Sequence, residues 1–439
     1  MSVVLNKLKI KRSPFRNYRA YISQLHRLMK ATDQGTDWDE QVLAALNGQA
    51  SVELRRIVAA QVRRKFGVYF TGTTLGDRLC AKHTPFDGNR IFYDPTCGMG
   101  DLLLAVAKMF SLSGTLHETL TQWGQQLSGT DLHAEFVEGT KTRLVLLARQ
   151  RLQTVEALAV SPNKLFPYIR VGNALIEEAA FRRATTLLMN PPFGPMVAPS
   201  SCKWARGRVT SAAIFMETAL ERVRPGTEIL AILPEVLRAG SFSERWRNRI
   251  SSQAEIHLIE PCGIFDSHAD VDVFLLRLIR RPDDDSARKT QWSSKRRVQN
   301  GTVSGSFNVH VGRVVPHRDA DAGPEYAYIH PRCVPPWTVM RKFSETRHHE
   351  GQAYHPPFVV IRRTSRPGDT YRATATIIAG AVPIAVENHL IVCEPKDGSF
   401  ATCKALLRQL KTEASNTFLN RRICCRHLTV GSVGAIPFE

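Results

Sequence analysis

The sequence has no long apolar run and no closely spaced pair of cysteines. No stretch approaches the roughly 18 apolar residues of a membrane span, and residues 1–12 lack the apolar core of a signal peptide. No two of the nine cysteines are separated by two residues, the usual spacing of zinc ligands. We therefore expect a cytoplasmic protein without a metal, in which the adjacent Cys424 and Cys425 are free thiols rather than a bridge.

Internal repeats and long low-complexity tracts are absent as well. The 439 residues are 43% hydrophobic and 23% charged, which is ordinary for a globular protein of two or three domains. The charge is unevenly placed: the net charge is +8 over residues 1–70, +2 over residues 71–280 and +9 over residues 281–439. Because cationic surfaces favour polyanions, this distribution predicts chemistry in the middle and nucleic-acid contact at both ends.

The periodicity of apolar residues predicts an α/β protein. Residues 15–66 have helical spacing, with a turn near residues 33–39. Short apolar strands then alternate with helices, which is typical of a parallel sheet covered on both faces. We predict strands at residues 91–93, 127–130, 168–171, 186–189, 229–233, 255–259 and 271–278. The composition of residues 281–306 is that of a linker, and strand-like runs at residues 309–315, 358–361 and 390–393 follow it, with a helix near residues 404–410.

The expected domain organisation follows from these patterns. We predict an N-terminal helical region over residues 1–70, a Rossmann-like α/β domain over residues 71–280, the linker, and a smaller α+β domain over residues 307–439.

A glycine-rich turn follows the first predicted strand, in the sequence Asp94-Pro-Thr-Cys97-Gly98-Met-Gly100. Glycines let a ligand lie against the main chain, and ligands of open α/β sheets bind at the carboxyl ends of strands. The turn matches neither common nucleotide-phosphate motif. It resembles motif I of class I S-adenosylmethionine-dependent methyltransferases, in which the acidic residue and the glycines hold the methionine part of the cofactor. Asp131, at the end of the second strand, can accept hydrogen bonds from ribose hydroxyls.

The tetrapeptide Asn190-Pro191-Pro192-Phe193 follows the fourth predicted strand. The two prolines fix the backbone and remove two amide donors. The side-chain carbonyl of Asn190 and the main-chain carbonyl of Pro191 could both accept from one NH₂ group and draw a conjugated amine toward tetrahedral geometry. Phe193 offers a face for base stacking, worth roughly 1–3 kcal/mol. This pattern predicts methylation of a ring-bound amine.

The order of these motifs resembles the gamma class of amino-methylating DNA methyltransferases, which includes type I modification subunits and single-chain adenine enzymes of restriction–modification systems. The resemblance covers about residues 66–280. It implies methyl transfer from S-adenosylmethionine to the N6 amine of a flipped-out adenine in double-stranded DNA, with a restriction nuclease or a specificity subunit as a further candidate partner. It also implies that Phe70 and Thr71 begin the cofactor pocket, that Phe265 packs on the flipped base, and that residues 307–439 recognise the DNA target.

Two positions depart from the family pattern. The usual Thr-Pro of the first segment is Thr71-Gly72, and the usual Gly-Asp after the third strand is Gly172-Asn173. Asn173 can still bind an adenine edge through its amide, but it carries no charge. These changes put cofactor affinity and activity in question without affecting the tetrapeptide at residues 190–193.

Basic side chains in two places are candidate DNA contacts. One set follows the tetrapeptide and the other lies in the C-terminal domain: Lys203, Arg206 and Arg208, and Arg362, Arg363, Arg366, Arg372, Arg421, Arg422 and Arg426.

Three alternatives stay open at this point. Similar tetrapeptides serve methyltransferases of RNA adenine and of protein glutamine, although the basic C-terminal extension argues against a protein substrate. The departures at Gly72 and Asn173 also fit a cofactor-binding DNA-binding module without activity. A third alternative is an enzyme that depends on a separate specificity subunit.

Overall fold

The computed structural model describes residues 13–33, 35–83, 88–266, 269–282, 292, 301–423 and 426–438. These residues form two compact units. The first unit comprises the described residues within Met1–Pro234, Arg245–Cys262 and Val273–Thr290. The second unit comprises the described residues within Glu235–Glu244, Gly263–Asp272 and Gln291–Glu439. Most of the predicted linker, as well as Cys424 and Cys425, lies outside the described residues.

Four helices open the first unit: α1 (Arg19–Lys30), α2 (Thr36–Leu46), α3 (Gln49–Ile57) and α4 (Ala60–Phe66). They confirm the helical periodicity of residues 15–66. The buried face of α1 carries Tyr21, Ile22 and Leu25, which recur at helical spacing. Gly48 separates α2 from α3 at a φ of 96°, a conformation that glycine adopts readily.

A seven-stranded sheet in the order β3-β2-β1-β4-β7-β9-β8 forms the centre of the first unit. Strands β1 to β4 and β7 are parallel, and β9 runs antiparallel to β7. Strands β4 and β7 are buried throughout, as expected for parallel strands covered on both faces. The strands of this unit, with a small separate hairpin, are β1 (Phe92–Asp94), β2 (Leu127–Asp131), β3 (Ile169–Val171), β4 (Thr186–Met189), β5 (Pro195–Val197), β6 (Arg208–Thr210), β7 (Glu228–Pro234), β8 (Ala254–Asp266) and β9 (Ala269–Arg280).

Helices connect these strands and cover the sheet. The longest, α8, carries buried residues along nearly its whole length and packs against α1, α2 and α6. These helices are α5 (Thr73–Cys80), α6 (Asp101–Ala107), α7 (Leu116–Gln126), α8 (Ala134–Leu152), α9 (Pro162–Leu165), α10 (Ala179–Arg183), α11 (Ser211–Arg222) and α13 (Glu244–Gln253). The short helix α12 (Glu235–Ala239) belongs to the second unit. The expected fold class, a Rossmann-like α/β domain with N-terminal helices and a further α+β part, is confirmed.

The strand order reverses beside β1. The chain passes from β1 outward through β2 and β3, and then returns to place β4 on the other side of β1. Phe92 pairs with Leu127 of β2 and with Thr186 of β4. Such a reversal point is where open α/β sheets bind ligands, outside the carboxyl ends of the strands. The loops after β1, β2 and β4 meet at this edge.

The second unit contains a five-stranded sheet in the order β10-β17-β14-β15-β12 and a three-stranded sheet in the order β13-β11-β16. Its main core packs Val359, Ile377 and Ile391 of the larger sheet against Leu406 and Leu410 of a helix. Its elements are β10 (Phe307–Val311), β11 (Glu325–Ile329), β12 (Val339–Met340), β13 (Thr346–His348), β14 (Phe358–Arg362), β15 (Ala375–Ile378), β16 (Ile384–Val386) and β17 (Leu390–Pro395), with α14 (Val303–Ser306), α15 (Phe400–Leu410), α16 (Glu413–Arg422) and α17 (Val430–Gly434).

Among the described residues, no helix combines the length and the apolar character that crossing a membrane requires.

Candidate functional site

A cavity of about 780 Å³, including its open mouth, lies at the carboxyl edge of β1, β2 and β4. Nine residues predicted from the sequence line it: Phe70, Thr71, Asp94, Cys97, Gly98, Asp131, Asn173, Asn190 and Pro192. Gly100, Pro191 and Phe193 were predicted to act in the same site but are not among the lining residues.

The loop after β1 is held by backbone contacts. Thr96 donates its amide to Asp94 Oδ1 at 2.9 Å, and Thr140 of α8 donates its hydroxyl to the Gly98 carbonyl at 2.8 Å. Gly98 and Gly100 have φ values of 51° and 81°. A side chain at Gly100 would come within 2.6 Å of Thr140 Cγ2. Gly100 therefore allows the loop to pack closely against α8.

Asp131 closes the cavity at the end of β2. Its carboxylate accepts the amide of Gly98 at 3.0 Å and the amide of His133 at 2.9 Å. Burial raises the pKa of Asp131 to about 6, and these amides oppose the shift. Since each carboxylate oxygen has two lone pairs, both oxygens keep capacity for a ligand hydroxyl.

Three carboxyl groups line the cavity: Asp94, Asp131 and Asp101. Burial raises the pKa of Asp94 to about 8, and the charges of Asp131 and Asp101 add to this shift. A cation would relieve the cost of ionising such a group. The electrostatics of the cavity therefore suit a positively charged ligand.

Aromatic rings form another wall, in which Phe66, His133 and Phe136 accompany Phe70. The rings of Phe70 and Phe136 meet edge to face, with their centroids 5.2 Å apart. Burial lowers the pKa of His133 to about 4, so its ring is neutral near pH 7. The sequence analysis did not predict Phe66, His133 and Phe136, because they lie outside the recognised motifs. The one signal for them in the sequence is that they lie close to Phe70 and Asp131.

The tetrapeptide after β4 is fixed by the residues that begin α11. Thr210 donates its hydroxyl to the Phe193 carbonyl at 3.0 Å, and Ser211 donates its hydroxyl to the carbonyls of Pro192 and Gly194. Asn190 donates its side-chain amide to the Thr71 hydroxyl at 2.9 Å. No described residue donates to Asn190 Oδ1 or to the Pro191 carbonyl. The loop is thus rigid and presents two acceptors without protein partners.

Asn173 follows β3 and lines the cavity together with its neighbours Gly172 and Ala174. Its Oδ1 accepts the amide of Leu175 at 3.0 Å, so the carbonyl end of the side chain closes a local turn. The NH₂ end is the part of Asn173 that a ligand could use.

Of the basic residues after the tetrapeptide, Lys203 and Arg206 lie between β5 and β6, and Arg208 begins β6. The side chains of Lys203, Arg206 and Arg208 are exposed. Trp204, which is 8% exposed, donates its indole N–H to Glu217 of α11 at 2.6 Å. Arg206 donates to the Cys202 carbonyl at 2.6 Å. The segment is therefore anchored to α11 of the first unit, and the side chains of Lys203, Arg206 and Arg208 face solvent.

The second unit holds the other predicted contacts. Arg362 donates to the Val334 carbonyl at 2.9 Å and Arg363 to the Asn388 carbonyl at 3.3 Å, and both side chains are half-buried. Phe265 is also half-buried and is not among the cavity-lining residues. Arg372 is only 1% exposed and donates to the Ile423 carbonyl. The expectation that Arg372 belongs to a DNA-contacting cluster was wrong, because its guanidinium is buried within the unit.

Among the described residues, one group has the composition of a metal site: the ligand atoms of His330, Cys333 and Glu345 lie within 4.8 Å of one another. His330 Nδ1 accepts the amide of Arg332 at 3.2 Å, and Nε2 lies 3.0 Å from Glu345 Oε1. The imidazole therefore carries its proton on Nε2 and donates it to Glu345.

Comparisons with known proteins give structural matches only. No protein-family model matches the chain, and no curated protein matches it in sequence. The structure of MmeI, a type IIL restriction–modification enzyme in complex with DNA, matches with a TM-score of 0.54 and 12% identity over 88% of this chain and 70% of that chain. This likeness shows a shared fold.

Two further matches have lower scores. A protein from Listeria monocytogenes assigned to the class I S-adenosylmethionine-dependent methyltransferases matches with a TM-score of 0.40 and 15% identity, over 63% of this chain and 86% of that chain. A type I restriction–modification methyltransferase subunit from Streptococcus thermophilus matches with a TM-score of 0.34 and 14% identity, over 56% of this chain and 53% of that chain.

Proposed function

We propose that this protein is a gamma-class DNA methyltransferase, which transfers a methyl group from S-adenosylmethionine to the N6 amine of an adenine flipped out of double-stranded DNA. One observation carries the proposal: no described residue donates to Oδ1 of Asn190, which lines the cavity, or to the carbonyl of Pro191, the next residue.

The residues of the cavity fit S-adenosylmethionine. This cofactor carries a sulfonium and an ammonium group, which Asp94 and Asp131 would face, and a bound cation would favour ionisation of the buried Asp94. Asp101 is already paired with Arg143. Its adenine would contact the aromatic wall, and its ribose hydroxyls would donate to Asp131. When bound, the cofactor supplies an electrophilic methyl group on sulfur. The chain itself has to hold the acceptor amine and orient its lone pair.

The amine of adenine is a poor nucleophile because its lone pair is delocalised into the ring. Hydrogen bonds from its two N–H groups to Asn190 Oδ1 and the Pro191 carbonyl would favour tetrahedral nitrogen and localise that lone pair. Both acceptors are positioned before the substrate arrives, so little reorganisation accompanies the reaction. As the nitrogen bonds to the methyl carbon, the carbon–sulfur bond would break, its electron pair would stay on sulfur as a neutral thioether, and the nitrogen would release one proton to water.

Reaching this amine requires the base to leave the duplex, at a cost of a few kcal/mol. The exposed cations of Lys203, Arg206 and Arg208, in the segment that follows the tetrapeptide, are suited to hold the phosphate backbone meanwhile. The second unit, which includes Arg362 and Arg363, would recognise the target sequence. A restriction nuclease or a specificity subunit is the partner class that this activity implies.

The test is methyl transfer from labelled cofactor by the purified full chain. Substrates are genomic DNA from a host without adenine methylation and, separately, total RNA. We expect label in DNA, with mass spectrometry of the nucleosides identifying N6-methyladenine. Asn190→Ala should lower the rate by about a hundredfold or more while cofactor affinity, measured by calorimetry, is preserved.

The matched control is Asn17→Ala, which alters an exposed asparagine before α1 and should leave the rate unchanged. Label confined to RNA or protein, label in methylcytosine, or an active Asn190→Ala variant would each contradict the proposal.

A further inference from the structure

The side chain of Asn190 donates a hydrogen bond to the hydroxyl of Thr71. It makes no other hydrogen bond with the described residues. The N···O distance is 2.9 Å, and the two residues are 119 positions apart in the sequence. Both line the cavity. Since the amide nitrogen points to Thr71, the amide oxygen is the end of Asn190 that is left for a substrate.

We infer that Thr71 is a positioning residue, which holds the Asn190 amide with its oxygen toward the substrate amine. This inference rests on the proposed function and deepens it. An asparagine amide can rotate by half a turn, and the reversed amide would present N–H groups to the N–H groups of the amine. In the structure Nδ2 donates to the Thr71 hydroxyl, which is the orientation that leaves Oδ1 for the substrate amine.

The backbone of Thr71 is itself held by a buried ion pair. The amide of the next residue, Gly72, donates to Asp101 Oδ2 at 2.7 Å, and Arg143 donates to Asp101 Oδ1 at 2.8 Å. Arg143 is 0% exposed and also donates to the Ala45 carbonyl at 2.9 Å. Helix α8, the start of α6 and the segment before α5 thus fix Thr71 jointly.

The departure of this chain from the Thr-Pro pattern belongs to the same arrangement. A proline at position 72 has no N–H and could not donate to Asp101. Gly72 also has a φ of 71° and a ψ of 163°, a conformation far from the φ of about −65° that proline imposes. The glycine therefore supplies an anchoring hydrogen bond for Thr71 that the usual proline could not make.

The experiment compares Thr71→Val, Thr71→Ser and Thr74→Val in the full chain. Valine keeps the shape of threonine but removes the hydroxyl, whereas serine keeps the hydroxyl. Thr74 is exposed and its hydroxyl makes no hydrogen bond with the described residues, which makes it a matched control. Single-turnover methyl transfer to DNA, cofactor affinity and the side-chain amide resonance of Asn190 in selectively ¹⁵N-labelled protein are measured.

We expect Thr71→Val to lower the single-turnover rate by about a hundredfold, because a displaced catalytic group costs that much. Cofactor affinity and KM for DNA should change by less than about threefold, and Thr71→Ser should restore most of the rate. The Asn190 amide resonance, identified by its loss in Asn190→Ala, should shift in Thr71→Val and not in Thr74→Val.

An unchanged rate or an unchanged Asn190 resonance in Thr71→Val would overturn the inference. The Asn190 resonance also tests the inference independently of the proposed function. If the wild-type chain transfers no methyl to DNA but the resonance shifts as expected, the contact between Thr71 and Asn190 is established and the proposed function fails.

Discussion

The indole of Trp204 donates to the carboxylate of Glu217 at 2.6 Å, and both residues are only 8% exposed. This contact fixes the segment between β5 and β6 to α11, the helix whose first residue holds the tetrapeptide. This segment is therefore anchored at its centre. Its sequence, which is basic and rich in small residues, could not distinguish an anchored loop from a mobile one.

Replacing Trp204 with phenylalanine should release this anchor. Glu217 would keep its ion pair with Arg249 but lose the indole donor, at a cost of about 1–3 kcal/mol, so the segment over residues 198–207 should open more often. Limited digestion with trypsin, which cleaves after Lys203, Arg206 and Arg208, should proceed several-fold faster than in the wild type. Glu217→Gln keeps a carbonyl acceptor and should behave nearly as the wild type. Equal cleavage of Trp204→Phe and wild type would show that the contact does not hold the segment.

Gly72→Ala should destabilise the chain by about 1–3 kcal/mol, because its backbone conformation is nearly restricted to glycine. No atom lies within 4 Å of a Cβ built at this position, so steric crowding does not contribute. Thermal melting of the purified variants measures the loss. Gly194→Ala is the matched control, since its site is equally open and its φ is not positive. Equal melting temperatures for the two variants would show that the backbone conformation of Gly72 does not make its substitution costly.

Asp94 should make stability depend on pH. Burial raises its folded-state pKa to about 8 from an ordinary 3.8. Between these values the folded chain binds more protons than the unfolded chain, so the contribution of this carboxyl to stability falls as pH rises. Asp94→Asn should remove this loss of stability. At pH 8.5 its free energy of unfolding should exceed that of the wild type by more than about 1.4 kcal/mol, which corresponds to one pKa unit.

At about pH 5 the difference between Asp94→Asn and wild type should shrink, because this pH is only about one unit above the ordinary pKa of 3.8 that the carboxyl has in the unfolded chain, so its ionisation there favours unfolding less. Chemical denaturation at both pH values is the measurement. Asp77→Asn, an exposed carboxyl paired with Lys108, should show no such trend. Parallel pH profiles for Asp94→Asn and wild type would contradict the prediction.

Combined replacement of Lys203 and Arg208 with alanine should weaken DNA binding uniformly across sequences. Each phosphate contact adds about 0.9 to the slope of log affinity against log salt, so the slope should fall by about 2. Fluorescence anisotropy with duplex DNA at several salt concentrations tests this. Alanine at Arg27 and Lys164, exposed cations on α1 and α9, is the control with the same charge change. An unaltered slope would exclude Lys203 and Arg208 as phosphate contacts.

The sequence was sufficient to predict the strands of the first unit but not all their directions: a parallel sheet was expected, whereas β9 runs antiparallel to β7. Each predicted strand is present, because buried parallel strands leave short apolar runs between helical patterns. Asp94, Asp131 and Asn190 were expected at one edge because each was placed at or just after the end of a strand, and they share one cavity. In the second unit, strands β10, β14 and β17 and helix α15 match predicted segments, whereas β11 to β13, β15 and β16 are too short or too irregular in pattern to recognise.

Contacts between distant residues could not be predicted. Nothing near Thr71 indicates that its hydroxyl meets a side chain 119 positions away. Arg372 could not be distinguished from its solvent-facing neighbours, because a charged residue gives no sign in sequence that carbonyls will surround it. The predicted linker over residues 281–306 ends in helix α14, a single turn too short to leave a periodic signal.

The pairing of β1 with β4 has a practical consequence for dividing the polypeptide. The exposed loop at residues 111–115 separates the glycine-rich turn from Asp131 and Asn190. Two polypeptides made by dividing the chain in this loop would each contain only part of the cavity. The complete cavity would form when the two pieces associate and β1 pairs with β2 and β4. Under the proposed function, methyl marks on DNA would then record that the two pieces had met, so each piece fused to a different protein could report their association inside a cell.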